Sequence, residues 1–245
     1  MKPRQRSLTG LLLTIVLVPV IVGLIACLPV PLGDPEKSRI DPELSGVWLG
    51  RSEEPVVLLL EPYDKRSWLA TVYELDFNKC ADSAVEFDEE GLPGYAETVA
   101  QLRGLGSKCI AGEVIEIYKV WQAELGGERF MTWEPKGVFD ETHGFEPEIW
   151  LGYRVDKVIK SEFTLRMVDF EHSAFEDESV ETLLDKVEDQ GFPRDPRLLR
   201  SLQRAVEKVI RRNVDESTLY EEPSMFYRIE PEDYDLLVLG VALEL

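Results

Sequence analysis

The chain has 245 residues and a formal charge of −20, from 47 acidic against 27 basic side chains. That length suits one large domain or two small ones, and 44% hydrophobic residues exclude a wholly disordered chain despite 30% charge. An isoelectric point of about 4.5 excludes a general nucleic-acid binder, which needs a basic face to displace counterions.

Residues 1–26 stand apart from the fold. Lys2, Arg4 and Arg6 give a basic start, and the next charged residue is Asp34. Leu8 to Ala26 is almost wholly apolar, the layout of a secretory signal peptide. The uncharged run from Ser7 to Gly33 spans 27 positions, enough for an uncleaved membrane helix. Pro19 inside that run and the position of Cys27 favour cleavage instead. Leu24-Ile25-Ala26-Cys27 resembles the lipobox of bacterial lipoproteins. The resemblance implies that Cys27 becomes the first mature residue and carries a diacylglycerol and an N-acyl chain. Several acyl chains hold a protein stably at a membrane, where one holds only marginally. Leu28, rather than Asp, after the Cys implies an outer-membrane anchor facing the periplasm. Loss of three basic residues leaves 24 against 47 acidic ones.

Two further cysteines, Cys80 and Cys109, are then an even pair in an oxidising compartment. A disulfide between them would close a loop of about 30 residues, worth roughly 3 kcal/mol. Two buried free thiols are the alternative. Neither Cys has a CxxC partner or a nearby His, so no tetrahedral metal site is expected.

Residues 27–42 hold the expected lipidated Cys and then Pro29, Pro31, Pro35 and Pro42 among polar residues, which reads as an extended tether. Residues 43–245 read as one β-rich globular domain. Val56 to Leu60 is a short apolar run, Pro62 to Lys65 is turn-like, and residues 67–77 read as a returning strand. Residues 78–108 are irregular, with a short helix near 95–102. Residues 113–124 alternate, Gly126-Gly127 is a hairpin turn, and 129–133 returns. Residues 148–159 and 162–169 form another pair. All five Trp, at 48, 68, 121, 133 and 150, fall in this region and read as core more than as cavity lining.

A helical insert follows over about 174–212. Val180, Leu183, Leu184 and Val187 recur at helical spacing, and Gly191-Phe192-Pro193 breaks the helix. Asp195-Pro196 reads as an N-cap with Pro at the first helical position. Leu198, Leu202, Ala205, Val206, Val209 and Ile210 share one face of the second helix. Arg194, Arg197, Arg200, Arg204, Lys208 and Arg211 collect beside it, the main basic concentration in an acidic chain. That stripe suits anionic lipid head groups, a phosphorylated glycan or an acidic partner. The alternative, which the short connection favours, is pairing with Glu178, Glu181, Asp185, Glu188 and Asp189 of the preceding helix. Residues 225–229 and 236–243 read as final strands, the last closing a sheet.

The predicted fold class is α+β, mainly β: an antiparallel meander or barrel-like sheet with a helical hairpin near the C-terminal third. Leu44-Ser45-Gly46-Val47-Trp48 looks like the LxGxW opening of lipocalin-like domains. That resemblance implies an up-and-down barrel plugged at its base by Trp48.

No phosphate loop, GxSxG elbow, HExxH or dinucleotide fingerprint is present in the sequence, so no catalytic residue, metal or cofactor is assigned. His143 and His172 lie far apart. Acidic neighbours such as Asp88/Glu89 and Glu176/Asp177/Glu178 suit glycoside hydrolysis only at a defined separation, and a solvated face explains them better. The expectation is a lipid-anchored envelope protein, not an enzyme, that acts by binding or interaction. A lipocalin-like periplasmic carrier of an apolar ligand is the second reading, and a carboxylate-dependent hydrolase the third.

Overall fold

A computed structural model of the protein describes residues 28–51, 56–76, 111–136, 150–190, 195–231 and 238–239. The strands are β1 (Gly46–Arg51), β2 (Val56–Pro62), β3 (Ser67–Asp76), β4 (Ala111–Leu125), β5 (Glu128–Pro135), β6 (Leu151–Ile159), β7 (Glu162–Met167), β8 (Ser224–Arg228) and β9 (Val238–Leu239). The helices are α1 (Glu178–Gln190) and α2 (Pro196–Arg212), inserted between β7 and β8.

β1 to β8 pair antiparallel in sequence order, and β8 pairs back onto β1 with Trp48 opposite Arg228. The sheet is thus a closed eight-stranded antiparallel barrel with two helices, mainly β. Closure removes the exposed edges that an open sheet must protect. The expected final strand does not close it: β9 pairs in parallel with the start of β4, opposite Ala111 and Gly112, beyond the reach of β5.

Local chemistry sets the corners. Gly126 and Gly127 hold φ of +65° and +87°, which the two-residue β4–β5 hairpin requires and only glycine adopts freely. In the β2–β3 turn the Asp64 carboxylate accepts the Arg66 and Ser67 N–H groups at 2.7 and 2.8 Å. Asp177 and Asp195 cap α1 and α2, accepting the N–H groups of Ser179 and Arg197.

Alternation along each strand separates two cores. Trp48, Leu58, Leu60, Trp68, Ala70, Val120, Met131 and Phe163 point inside the barrel and are buried. The second core lies outside the wall: Leu125 and Phe130 meet Leu28, Val30 and Leu32 of the N-terminal segment and Leu202, Val206, Val209 and Ile210 of α2.

This second core corrects the reading of residues 28–42 as a free tether. Leu28, Val30 and Leu32 are fully buried. The segment is a strap over the outer wall. The Trp121 indole donates to the Leu32 carbonyl at 2.9 Å, and Thr132 Oγ1 bonds both the Leu32 N–H and carbonyl. From α2, Glu207 accepts the Gly33 N–H at 3.0 Å and Gln203 donates to the Gly33 carbonyl at 2.6 Å. Prolines removed donors that a ladder would need, so the strap satisfies its backbone through these side chains instead.

Candidate functional site

The two ends of the barrel differ. At one end the chain enters β1 through a short 3-10 turn, Pro42–Leu44, capped by Asp41. Trp48 donates its indole N–H to the Leu44 carbonyl at 2.8 Å. The Arg228 guanidinium lies over the Trp48 ring, 4.3 Å from its centroid. Arg228 also donates to the carbonyls of Ser45, Lys160 and Glu43. Phe163 meets Trp48 edge-on at 4.6 Å and stacks on Phe226 at 4.8 Å. Rings and a guanidinium therefore plug this end.

The interior toward the other end is not filled. A cavity of about 180 Å³ lies there among Val56, Leu58, Val72, Glu116, Tyr118, Trp133, Leu151, Tyr153, Leu165, Ser224 and Phe226. The Trp133 ring meets Tyr118 and Tyr153 edge-on, each at 5.4 Å between centroids. Its polar groups are few. Tyr118 donates its hydroxyl to the Glu116 carboxylate. The Trp133 indole N–H is buried and has no hydrogen-bond partner among the described residues, in a residue only 5% exposed. An orphaned buried donor costs about 1–3 kcal/mol, so an acceptor placed beside it is favoured. A mainly apolar lining that also carries the polar groups of Glu116, Tyr118, Tyr153, Ser224 and Trp133 suits a small apolar molecule bearing one acceptor oxygen.

No family model, curated protein or solved structure matches the chain.

The basic stripe does not behave as one surface. Arg200, Arg204 and Arg211 line an open groove of about 840 Å³ between α2 and the strap, with Lys37, Arg39 and Arg129. Arg211 is engaged with Glu207 at 2.8 Å, Lys37 with Asp34 at 3.1 Å and Arg129 with Asp41 at 3.0 Å. Arg197 lines a separate depression beside Asp189. The Ser179 hydroxyl and N–H hold the Asp177 carboxyl below its usual range, with smaller help from Lys208. Arg194 lies outside the described residues. The expected pairing with the acidic helix is not found: among the described residues no ion pair joins α1 to α2, and their contact is apolar, through residues such as Val180, Val187, Leu202 and Val206. Interhelical charge pairs on exposed faces add little, so packing rather than pairing sets the hairpin.

Other candidates resolve into structure. His172 accepts the Ala174 N–H on Nδ1 at 3.1 Å and bonds Thr218 through Nε2 at 3.0 Å, so it caps a turn. Among the described residues no three His, Cys, Asp or Glu converge to hold a metal ion. Cys27, Cys80, Cys109, His143 and the Asp88/Glu89 pair lie outside the described residues. Of the five Trp, Trp48 and Trp68 fill the barrel, Trp150 packs on the outer core and Trp121 is bonded to the strap at Leu32; Trp133 walls the cavity. Sequence reasoning missed the cavity set and Arg228. Same-parity residues on neighbouring strands (Val56/Leu58, Val72, Tyr118) carried the signal for the former.

Proposed function

We propose that the protein is a lipid-anchored envelope protein whose barrel binds a small, neutral, apolar molecule at its unplugged end. The observation that carries this is the cavity itself, with the unpartnered Trp133 indole in its wall. The resemblance of residues 44–48 to lipocalin-like domains points the same way, and Trp48 at the plugged end is consistent with it. The cavity measures about 180 Å³. It is smaller than pockets that engulf drug-sized ligands, roughly 300–1,000 Å³. The ligand part inside is therefore a short chain or one ring. Glu116 on the wall disfavours a carboxylate, so an alcohol, ether or carbonyl oxygen is the partner for Trp133. The address is the one implied by the lipobox resemblance: acylated Cys27, outer membrane, periplasmic side.

Calorimetric titration of the domain with 1-hexanol and with hexanoate tests the reading. The alcohol is expected to bind with a dissociation constant of order 0.1–1 mM and hexanoate at least tenfold more weakly. Val72→Phe, which puts a ring into the cavity, is expected to remove alcohol binding while leaving the far-UV spectrum unchanged. Equal binding by wild type and Val72→Phe would place the ligand elsewhere.

The groove beside α2 supports a second reading, interaction with an acidic partner. Arg39, Arg200 and Arg204 line it without an ion-pair partner among the described residues.

A further inference from the structure

The groove between α2 and the strap reverses the sign of the chain. Among the described residues it is lined by six cations, Lys37, Arg39, Arg129, Arg200, Arg204 and Arg211, against three carboxylates, Asp34, Glu124 and Glu207, in a protein of net charge −20. Its walls are held in place from both sides. Glu207 and Gln203 bond Gly33 of the strap, and buried Ser38 accepts the Gln122 N–H on its hydroxyl at 2.9 Å. Arg39 follows Ser38 and is exposed. Asp34 and Glu207 are engaged by Lys37 and Arg211, whereas Arg39, Arg200 and Arg204 have no ion-pair partner among the described residues. Arg200 and Arg204 stand four residues apart on α2, so they share a face of the helix and repel each other.

A second observation comes from β4. Gln122 lines the same groove, and its side-chain Nε2 is buried with no hydrogen-bond partner among the described residues. A buried donor without an acceptor is costly, so an incoming oxygen is favoured. The guanidinia and the amide therefore call for the same thing, an anion rich in acceptor oxygens. A phosphate monoester meets this better than a carboxylate, because it brings up to two charges and three oxygens for guanidinium donors. The groove, about 840 Å³, has room for more than a phosphate. No aromatic ring is among its described lining residues to stack a nucleobase, and Leu125 is their one large aliphatic side chain, too little to bed an acyl chain. Gln203 and Glu124 are polar groups suited to hydroxyls.

We propose that this groove binds a phosphorylated sugar, with Arg39, Arg200 and Arg204 supplying the charge and Gln122 donating to a ligand oxygen. The proposal rests on the reading of the groove as the surface for an acidic partner, and is independent of the barrel cavity. The sugar phosphate comes free or as the headgroup of a glycolipid; the chemistry recognised is the same.

The test is calorimetry on the full-length, natively processed protein in phosphatidylcholine vesicles, with glucose 6-phosphate, inorganic phosphate, glucuronate and a poly-glutamate peptide as probes. Glucose 6-phosphate is expected to bind with a Kd of order 0.1 mM, at least fivefold more tightly than inorganic phosphate or glucuronate. Its affinity is expected to fall at least threefold from about pH 7 to about pH 5, because the phosphate takes up a proton near pH 6 while the arginines stay charged. Arg200→Gln combined with Arg204→Gln is expected to weaken binding at least tenfold, and Arg39→Gln on the strap at least threefold. Arg197→Gln, on the same helix but outside the groove, is expected to leave it unchanged. All four positions are exposed, so the variants are expected to keep the parent far-UV spectrum. Vesicles carrying phosphatidylinositol 4-phosphate separate the two sources: competition with glucose 6-phosphate assigns the lipid headgroup, and unchanged affinity assigns the free compound. Binding that survives the double variant, or equal affinity for inorganic phosphate, overturns the proposal. Tighter binding of poly-glutamate than of glucose 6-phosphate also overturns it, but keeps the groove as the surface for an acidic partner. Binding of none of the four probes overturns both.

Discussion

Arg228 ties the last strand of the barrel to its first turn. Its guanidinium sits 4.3 Å from the Trp48 centroid and serves carbonyls on two separate segments, Glu43 with Ser45 and Lys160. The planar fork of Arg fits this; an ammonium does not. Arg228→Ala is expected to cost about 2–3 kcal/mol in urea denaturation, and Arg228→Lys to recover less than half of that. Asp64 gives a pH signature. The Arg66 N–H holds its carboxyl below the usual range; burial opposes this, and the Ser67 hydroxyl and N–H add to the lowering. A carboxyl lowered in the folded state stabilises above its unfolded value and loses that contribution as pH falls through its folded value. Asp64→Ala is therefore expected to cost about 0.5 kcal/mol at neutral pH after solvent screening, and nothing once the carboxylate of the parent is protonated. Stability curves taken from pH 7 down through the acid transition compare the two.

At the scale of elements, the strap is the part that composition misrepresented. Four prolines among polar residues suggested an extended tether, yet its alternate residues Leu28, Val30 and Leu32 are buried. The signal lay in the partner wall. Gly152 gives up its side chain to Leu28, and the Cβ of Ala123 fits against Gly33. Gly152→Val is expected to cost about 1–3 kcal/mol by overpacking and to free the strap for limited proteolysis near residue 30. An unchanged digestion pattern would contradict the strap's role. The strands were legible because each inner face repeats every second residue and the turns carry their own chemistry, as at Gly126-Gly127 and Asp64. The helices were legible from Asp195-Pro196 and the apolar face of α2. Arg228 was not, because its partners are main-chain carbonyls 68 to 185 residues away. The charge stripe of α2 was legible as composition but not as geometry, since which cation meets which carboxylate depends on how the strap crosses the helix.

For the whole molecule, closure of the barrel leaves asymmetry between its ends as the feature with functional weight. One end is filled by Trp48, Phe163 and Arg228, and the other keeps a mainly apolar cavity. The connection over 77–110 contains Cys80 and Cys109. If they are joined, as the sequence suggests, reduction is expected to lower stability by roughly 3 kcal/mol, and both thiols alkylate only after a reductant is added. The acidity of −20 is a background over which the basic groove beside α2 stands out, well separated in character from the cavity. The most direct measurement of the central claim is the NMR signal of the Trp133 indole N–H during titration with 1-hexanol. The expected result is a saturable downfield shift of that one indole, absent in Val72→Phe, as the orphaned donor gains an oxygen partner. A Trp133 signal that stays fixed while the alcohol binds would contradict it.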